Sequence, residues 1–367
     1  MPRLKSVLVR GFRSIKEMNL ELGPINVCIG ANGAGKSNLI EFFKMVNEMM
    51  AGRLQQYIAT TGRATANLHF GPQVTQQLEA ELTFEADQGT NTYYVRLFYA
   101  AGDSLVFADE SLSFLRFGND IPQQQTFGAG HQEALIRHFA ENQPLINTLR
   151  NFLNHCRVYH FHDTSQSARI RRYCYVGDTR WLMPDAANLA AILYQMKSNN
   201  EVIYRRIVRD ITQIAPYFED FDLEPAHPLG TDIILNWRHR QSDLVFGPHQ
   251  FSDGTLRAIC LIALLHQPVD DPAYLIVVDE PELGLHPHAL ELISSLFRAA
   301  SKHAQILIST QSSTFVDTFD PRDIVVVDRT RETTTFQRPN TEVLESWLED
   351  YSLGEVWEKN VIGGSPS

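Results

Sequence analysis

Gly30-Ala31-Asn32-Gly33-Ala34-Gly35-Lys36-Ser37 is the stretch on which the fold turns. Residues 5–9 and 24–30 read as short strands, and the second runs directly into the loop. Leu39, Phe42, Phe43, Val46 and Met50 leave it at three- and four-residue intervals, which puts one apolar stripe on a helix. A glycine-rich loop between strand and helix is built to hold phosphate. Crowded phosphate oxygens need several converging backbone N–H donors, and Gly30, Gly33 and Gly35 let the backbone turn inward where a Cβ would block it. The helix start adds its positive dipole end, Lys36 reaches the β- and γ-phosphates, and the Ser37 hydroxyl suits Mg²⁺. ATP and Mg²⁺ are the expected cofactors, with Gly30, Asn32, Gly33, Ala34, Gly35, Lys36, Ser37 and Asn38 as the nucleotide-contacting set.

A second signal lies far downstream. Leu275-Ile276-Val277-Val278 is a continuous apolar run, the pattern of a strand covered on both faces, and it ends in Asp279-Glu280. Because α/β sheets place ligands at the carboxyl ends of their strands, Asp279 is the candidate metal carboxylate. Glu280 is the candidate catalytic group that polarises the attacking water. An acidic turn that merely ends a strand explains the pair equally well when it is taken alone. Together with the upstream loop, the phosphate reading gains weight. A third segment, Phe251-Ser252-Asp253-Gly254-Thr255, precedes the apolar helix 256–265 and offers a hydroxyl, a glycine and a helix N-terminus to a further phosphate. As a bare pattern it is also an ordinary cap and turn.

The three motifs together resemble the ATP-binding cassette head class, and within it the soluble SMC/RecF/OLD-like ATPases. Gly11-Phe12-Arg13-Ser14 is similar to the Phe-Arg-Ser element near the nucleotide in these heads, which places Arg13 among the nucleotide contacts. Glu280-Pro281-Glu282-Leu283-Gly284-Leu285-His286-Pro287 continues the resemblance past the acidic strand. Tyr159-His160-Phe161-His162-Asp163-Thr164, Ser252-Asp253-Gly254-Thr255-Leu256-Arg257 and Tyr351-Ser352-Leu353-Gly354-Glu355 narrow it to a compact family of bacterial AAA-type (AAA_21-like) ATPases. The resemblance covers nearly the entire chain. It implies a homodimer in which two heads close around two ATP molecules, so that Ser252 and Gly254 of one meet the γ-phosphate held by Lys36 and Ser37 of the other. It also implies a switch position in Ile308-Ser309-Thr310-Gln311-Ser312, where Gln311 stands in place of the histidine common in the broader class. Glutamine contacts phosphate but does not titrate near neutral pH, so slow or partner-stimulated turnover is expected. The metal-contacting glutamine between the lobes is assigned to Gln166.

Around these motifs, Leu78, Ala80, Leu82, Phe84 and Ala86 alternate with polar residues, the period of a half-buried strand, and Gln88-Gly89-Thr90 turns it into a second strand over 93–99. Mostly helical sequence is expected over 131–218, broken at 159–167 by a short strand and polar loop. The runs 274–278, 305–309 and 324–327 read as strands of a covered sheet. The expected fold is α/β: an ABC-type ATPase head with a P-loop core sheet, an antiparallel β sub-sheet and a helical signature lobe. Its single domain would be built from a nucleotide-binding lobe (1–160 and 265–345), a signature lobe (161–264) and a C-terminal tail (346–367), frayed after Ile362. Trp347, Leu348, Tyr351, Leu353 and Trp357 recur at helical spacing and either pack back on the head or dock a partner.

The 367 residues are 44% hydrophobic and 20% charged, ordinary for a globular chain. A net charge of −11 argues against a coat of basic surface. A local groove built from Arg169, Arg171, Arg172, Arg205, Arg206 and Arg209 stays a candidate for nucleic acid, with solvated helix faces as the alternative. His160, His162 and Asp163 could ligate a metal, but alternating strand positions and an Asp-Thr-Ser turn account for them more simply. Four widely spaced cysteines without a CxxC pair suit a reducing cytoplasm. No apolar run approaches the roughly 20 residues of a membrane span, so a soluble protein with no membrane domain is expected.

A transport motor is disfavoured by the folded sequence filling the interval from Ser37 to Ser252, and a chromosome-organising SMC protein by the absence of heptads there. Too little chain follows Gln311 for an OLD-type nuclease domain, so any nuclease is expected from another chain. The leading expectation is an ATP-hydrolysing switch that regulates a separately encoded effector, for example a nuclease, in bacterial anti-phage defence. A RecF-like DNA repair ATPase and a nucleotide-gated scaffold with little turnover are the alternatives, and assembly beyond a dimer stays open.

Overall fold

Acids and threonines separate the apolar residues of 78–86, and that period of two gives one face of the first large sheet to the core and the other to water. The computed structural model describes residues 2–138, 143–226, 230–267, 273–330 and 332–365. In chain order the strands and helices before the middle of the chain are β1 (Arg3–Phe12), β2 (Ile15–Glu21), β3 (Ile25–Ile29), α1 (Lys36–Ala51), α2 (Leu54–Thr60), α3 (Arg63–Asn67), β4 (Gln77–Ala86), β5 (Gly89–Ala100), β6 (Ser104–Arg116), β7 (Gln123–Thr126), α4 (Pro144–Asn154) and β8 (Cys156–Tyr159). There follow β9 (Cys174–Tyr175), α5 (Leu189–Asn199), α6 (Glu201–Ile214), β10 (Phe218–Asp222), β11 (Asp232–Ile233), β12 (Asn236–His239), β13 (Val245–Phe246), α7 (Asp253–Leu265), β14 (Leu275–Asp279) and α8 (Pro287–Ala300). The chain closes with β15 (Gln305–Thr310), α9 (Ser313–Val316), β16 (Ile324–Thr330), β17 (Thr333–Gln337), α10 (Thr341–Leu348) and α11 (Leu353–Glu358).

Two compact units result. The first takes the described residues of 1–158, 273–277 and 303–367, and the second those of 159–272 and 278–302. In the first unit an antiparallel sheet runs β2-β1-β4-β5-β6-β7, and a second sheet is ordered β17-β16-β3-β15-β14-β8. Within the latter, β3 lies parallel to both β15 and β16, with Ile29 opposite Thr310 and Val326. Helix α1 shares one continuous core with both sheets: its Leu39, Phe42, Phe43 and Val46 join Val7 and Val9 of β1, Leu78 and Leu82 of β4, and Leu307 and Val325. Phe42 meets Phe12 edge-on at 6.0 Å and Phe43 at 5.6 Å. At about 25 cal/mol per Å² of apolar surface, such a stripe fixes α1 far more firmly than its intrinsic helix propensity does.

In the second unit α7 is buried on nearly every side, and its neighbours are α5, α6 and α8. A small sheet, β10-β12-β13, carries an aromatic cluster in which Trp237 lies 4.9 Å from Phe246 and 4.7 Å from Phe251.

Two expectations need correction, and two strands were missed. The stretch 131–218 is less helical than expected: among the described residues, apart from short 3₁₀ turns, α4, α5 and α6 are its helices, and beyond the loop expected at 159–167 the chain stays largely irregular over 168–188. Side chains there satisfy the backbone locally in place of a helix. Asp163 Oδ1 accepts from Ser165 N (3.1 Å) and Oγ (2.7 Å), and fully buried Asn188 accepts from Met183 N and donates to the carbonyls of Asp178 and Trp181. The strands β6 and β7 were not foreseen, because a register shift at Arg96/Leu97 disturbs the alternation that marks β4. The chain past Ile362 is also not frayed where it is described: Gly364 O accepts from the buried Trp357 Nε1 at 3.0 Å. Trp357 and Leu353 pack inward, whereas Trp347 and Tyr351 are more than a third exposed and meet at a tilt, ring centres 5.7 Å apart.

One buried carboxylate organises the antiparallel sheet. Glu110, with no exposure, accepts from Tyr93 Oη (2.8 Å), His131 Nε2 (2.8 Å), Leu135 N (2.8 Å) and Ile136 N (3.2 Å). Burial, followed by the adjacent Glu110 charge, pushes the Tyr93 hydroxyl well above its ordinary pKa, so it stays a donor. Glu110→Ala should therefore destabilise the protein by about 3 kcal/mol, read as a lower urea midpoint by circular dichroism, because it strands several buried donors. Glu110→Gln should cost less.

Candidate nucleotide site

The loop 30–35 leaves β3 and enters α1 through Gly35, whose φ is +108°; no side chain caps the helix start and no acid stands in its first turn. The helix start is thus free of side-chain caps and acids, as an anion site requires, with Asn38 N–H turned onto Gly35 O at 3.0 Å. Ser37, Asn32 and Gly33 are exposed, and Ala34 is buried. Lys36, only 5% exposed, folds over the loop and donates Nζ to Gly30 O (2.5 Å) and Ala31 O (3.1 Å). This donor set fits a triphosphate.

The glycines are required for packing as much as for turning. A Cβ on Gly30 would stand 2.2 Å from Val327 O, and one on Gly35 would stand 2.2 Å from Thr334 Oγ1 and 2.9 Å from Ser14 Oγ. Thr334, fully buried in β17, is the residue that sequence reasoning missed. Its Oγ1 donates to Ala34 O (2.8 Å) and lies 2.6 Å from Ser14 Oγ, which in turn accepts from Asn38 Nδ2 at 2.5 Å. Asn38 thus braces the loop through Ser14. Nothing in the run Thr333-Thr334-Thr335 marks its middle member, since β17 meets the loop only in the folded chain.

Arg13 adopts a left-handed φ of +49°, held by Asn67 O on its N–H (3.0 Å) and by His69 Nδ1 on its carbonyl (2.7 Å). Its guanidinium reaches Glu41 Oε2 and Tyr57 Oη, both at 3.3 Å, and Lys44 also pairs with Glu41 at 2.7 Å. Burial alone would raise the Glu41 pKa; Lys44, Arg13 and Tyr57 outweigh it and leave the carboxyl below its ordinary 4.5. Arg13 and Ser14 line a cavity of about 630 Å³ with Thr61, Phe70, Arg329 and Glu332. Gln311 follows Thr310 at the end of β15, level with the residue that opens the phosphate loop. Thr310 Oγ1 accepts from Ser312 N (3.1 Å), and Ser312 Oγ caps α9 at Phe315 N (3.2 Å).

The remaining candidates belong to the second unit. Asp279 ends β14, and its carbonyl accepts from His162 Nε2 at 3.0 Å. Glu280 takes a φ of +43°, a left-handed conformation that costs a non-glycine residue about 1 kcal/mol or more and that is characteristic of functional positions. Ser252 caps α7 through Thr255 N (3.1 Å) and stays exposed. Gly254 is a contact glycine: a Cβ there would lie 2.2 Å from Gly284 O. Arg257 ties the same region together with bonds to the carbonyls of Phe161 (3.1 Å), His162 (2.9 Å) and Leu283 (3.0 Å).

Arg171 is corrected from the basic-surface reading. It is 2% exposed and binds Thr164 O (2.9 Å), Pro248 O and Asp253 Oδ1 (2.9 Å), bracing the Ser-Asp-Gly segment from behind. Gln166 is exposed, and its Oε1 accepts from His249 Nδ1 at 2.9 Å. Burial pushes the Cys156 thiol up to about 12 and Cys260 higher still, so both behave as small apolar side chains.

A backbone cradle between β3 and α1, with α1 sharing its core with a mixed parallel sheet and an antiparallel one, is the architecture of an ABC-type ATPase head. Residues 25–317 match the family described as "AAA domain, putative AbiEii toxin, Type IV TA system", and the chain belongs to it. It is similar to an OLD nuclease from Thermus scotoductus, 23% identical over 368 residues that cover 89% of this chain and 62% of that protein. The chain therefore spans under two thirds of that relative's length. Among solved structures, an SMC head bound to the C-winged-helix domain of ScpA superposes with a TM-score of 0.57 at 13% identity, covering 93% of this chain and 98% of that one. SMC heads from Pyrococcus furiosus (TM-score 0.57, 15% identity) and Pyrococcus yayanosii (0.56, 11%) each cover 95% of this chain and 99% of their own. These likenesses show the fold, that of an ABC-type ATPase head, and the family match makes the chain an AAA domain of that family. Among the described residues no helix is long and apolar enough to cross a membrane.

Gly35→Ala should weaken ATP binding at least about tenfold by calorimetry, because the added methyl collides with Thr334 and left-handed backbone disfavours alanine. Gly33→Ala, whose Cβ would meet nothing within 4 Å, should lose less. Since the Glu41 pKa is depressed, its stabilisation is fully present above pH 4.5 and is lost as the pH falls through the lowered value. The stability difference between wild type and Glu41→Gln should shrink correspondingly in acid, measured by urea titrations across that range.

Proposed function

We propose that this protein is an ATP-operated switch whose heads close head to head around two nucleotides and, on opening, release a separately encoded effector from control. The observation that carries the reading is the exposed Ser252 at the start of α7, held from behind by Arg171 and brought against Gly284 through Gly254. A segment braced so firmly yet facing solvent suits a phosphate that arrives from a second copy. In this reading Lys36 and the loop N–H groups hold the β- and γ-phosphates, and Ser252 and Gly254 of the partner complete the γ-phosphate shell. Mg²⁺ would be held by Ser37 and Asp279 and would neutralise charge developing on the phosphates. Glu280 orients and deprotonates the attacking water, and Gln311 contacts the γ-phosphate without titrating. A metal role for Gln166 requires its Oε1 to leave His249. The cavity beside Arg13 accepts the base and ribose, with the half-exposed Phe70 offering a ring.

Regulation of an effector in anti-phage defence is favoured over DNA repair, because the arginines considered for DNA are largely matched already. Arg169 pairs with Asp185, Arg205 with Glu201 and Arg209 with Asp210, and Arg171 is internal. A cytoplasmic setting follows from that role.

Glu280→Gln mixed with ATP and Mg²⁺ should run as a dimer by light scattering and retain unhydrolysed ATP, while wild type releases phosphate slowly. A variant that binds ATP yet stays monomeric at every concentration ends the sandwich model. Wild-type protein that binds ATP without releasing phosphate is a nucleotide-gated scaffold, and turnover that requires duplex DNA moves the repair reading ahead.

A further inference from the structure

The C-terminal segment of the first unit runs between two loops that the switch reading brings to one phosphate. Gln311 and Ser312 follow β15, the phosphate loop follows β3, and these strands are parallel neighbours. On the β15 side, α9 has only four residues, too few to hold its own position. Helix α11 supplies that position: a Cβ on Gly354 would lie 2.6 Å from Ser313 O, and the Gly354 N–H donates to Asp317 Oδ1 at 2.6 Å. Its own start is fixed by reciprocal bonds between Ser352 and Glu355 (2.8 and 3.3 Å). On the β3 side, a Cβ on Gly364 would stand 3.1 Å from Val327 O and 3.7 Å from Gly30 Cα. Val327 O is the same carbonyl against which Gly30 is packed. Trp357, 1% exposed, joins the two ends, since it lies in α11 and donates Nε1 to Gly364 O at 3.0 Å.

We propose that residues 352–365 are a clasp that sets the position of Gln311 relative to the phosphate loop, with Gly354, Trp357 and Asp317 as positioning residues. A shift of Gln311 moves α9, α9 is locked to α11 through Gly354, and the segment after α11, tied to that helix through Trp357, reaches Gly30 at Gly364. The two loops therefore move together. The catalytic half of this inference rests on Gln311 meeting the γ-phosphate; the mechanical half does not.

Two variants of the full chain test it. Trp357→Phe keeps an aromatic ring and removes the Nε1–H donor, and Asp317→Asn, at an exposed position, weakens the bond to Gly354 N while sparing the core. Amide hydrogen exchange by mass spectrometry is compared with ATP binding and steady-state phosphate release. Expected in both variants are faster exchange in 311–316 and also in 30–35, and a kcat at least fivefold lower with KM for ATP within twofold of wild type. Faster exchange confined to 352–365, or an unchanged kcat in an active protein, overturns the clasp. Should Trp357→Phe fail to fold, Asp317→Asn decides alone. Wild type without turnover defeats the switch reading instead, and the spread or confinement of exchange then still decides whether the clasp exists.

Discussion

A helix whose first turn is left without a cap is the constraint around which the first unit is arranged. Uncapped N–H groups are unfavourable unless water or a ligand meets them, so a chain that keeps them open must hold the helix by other means. Here α1 gives no side chain to its own start and is fixed by its apolar stripe and by neighbours of its loop. Thr334 holds Ala34 O, Ser14 holds Thr334 and Asn38, and Lys36 covers the carbonyls of Gly30 and Ala31. The phosphate loop owes much of its shape to Thr334 and Ser14, which need not touch phosphate themselves.

The same device recurs elsewhere. Gly35 against Thr334, Gly254 against Gly284 and Gly354 against Ser313 are all approaches that a single methyl would forbid. Each brings a segment of proposed function to a backbone fixed by another element: the loop to β17, the α7 start to the turn after β14, and α9 to α11. Close backbone contact transmits displacement well because packed interiors yield little. In a switch this is a means of coupling loops that share no covalent path shorter than dozens of residues.

Electrostatics serve the same purpose inside the second unit. A guanidinium as buried as that of Arg171 is tolerated only because backbone carbonyls and Asp253 saturate it. It spends its donors on the segment that presents Ser252, where a solvated surface arginine would have left that segment loose.

The sequence alone settled the local elements and their order: the strand–loop–helix at 25–51, the alternation of β4, the apolar run into Asp279-Glu280 and the helix after Ser252. These were legible because glycine spacing, period and capping act within a few residues. It did not mark Thr334, Arg171 as an interior group, the contact role of Gly254 and Gly354, or the ordered tail at Gly364, and it overread helix in 168–188. Those depend on which backbone lies against which after folding. A threonine, an arginine or a glycine looks the same in a chain whether its partner is water or a carbonyl tens to hundreds of residues away, and only the tertiary structure decided between them.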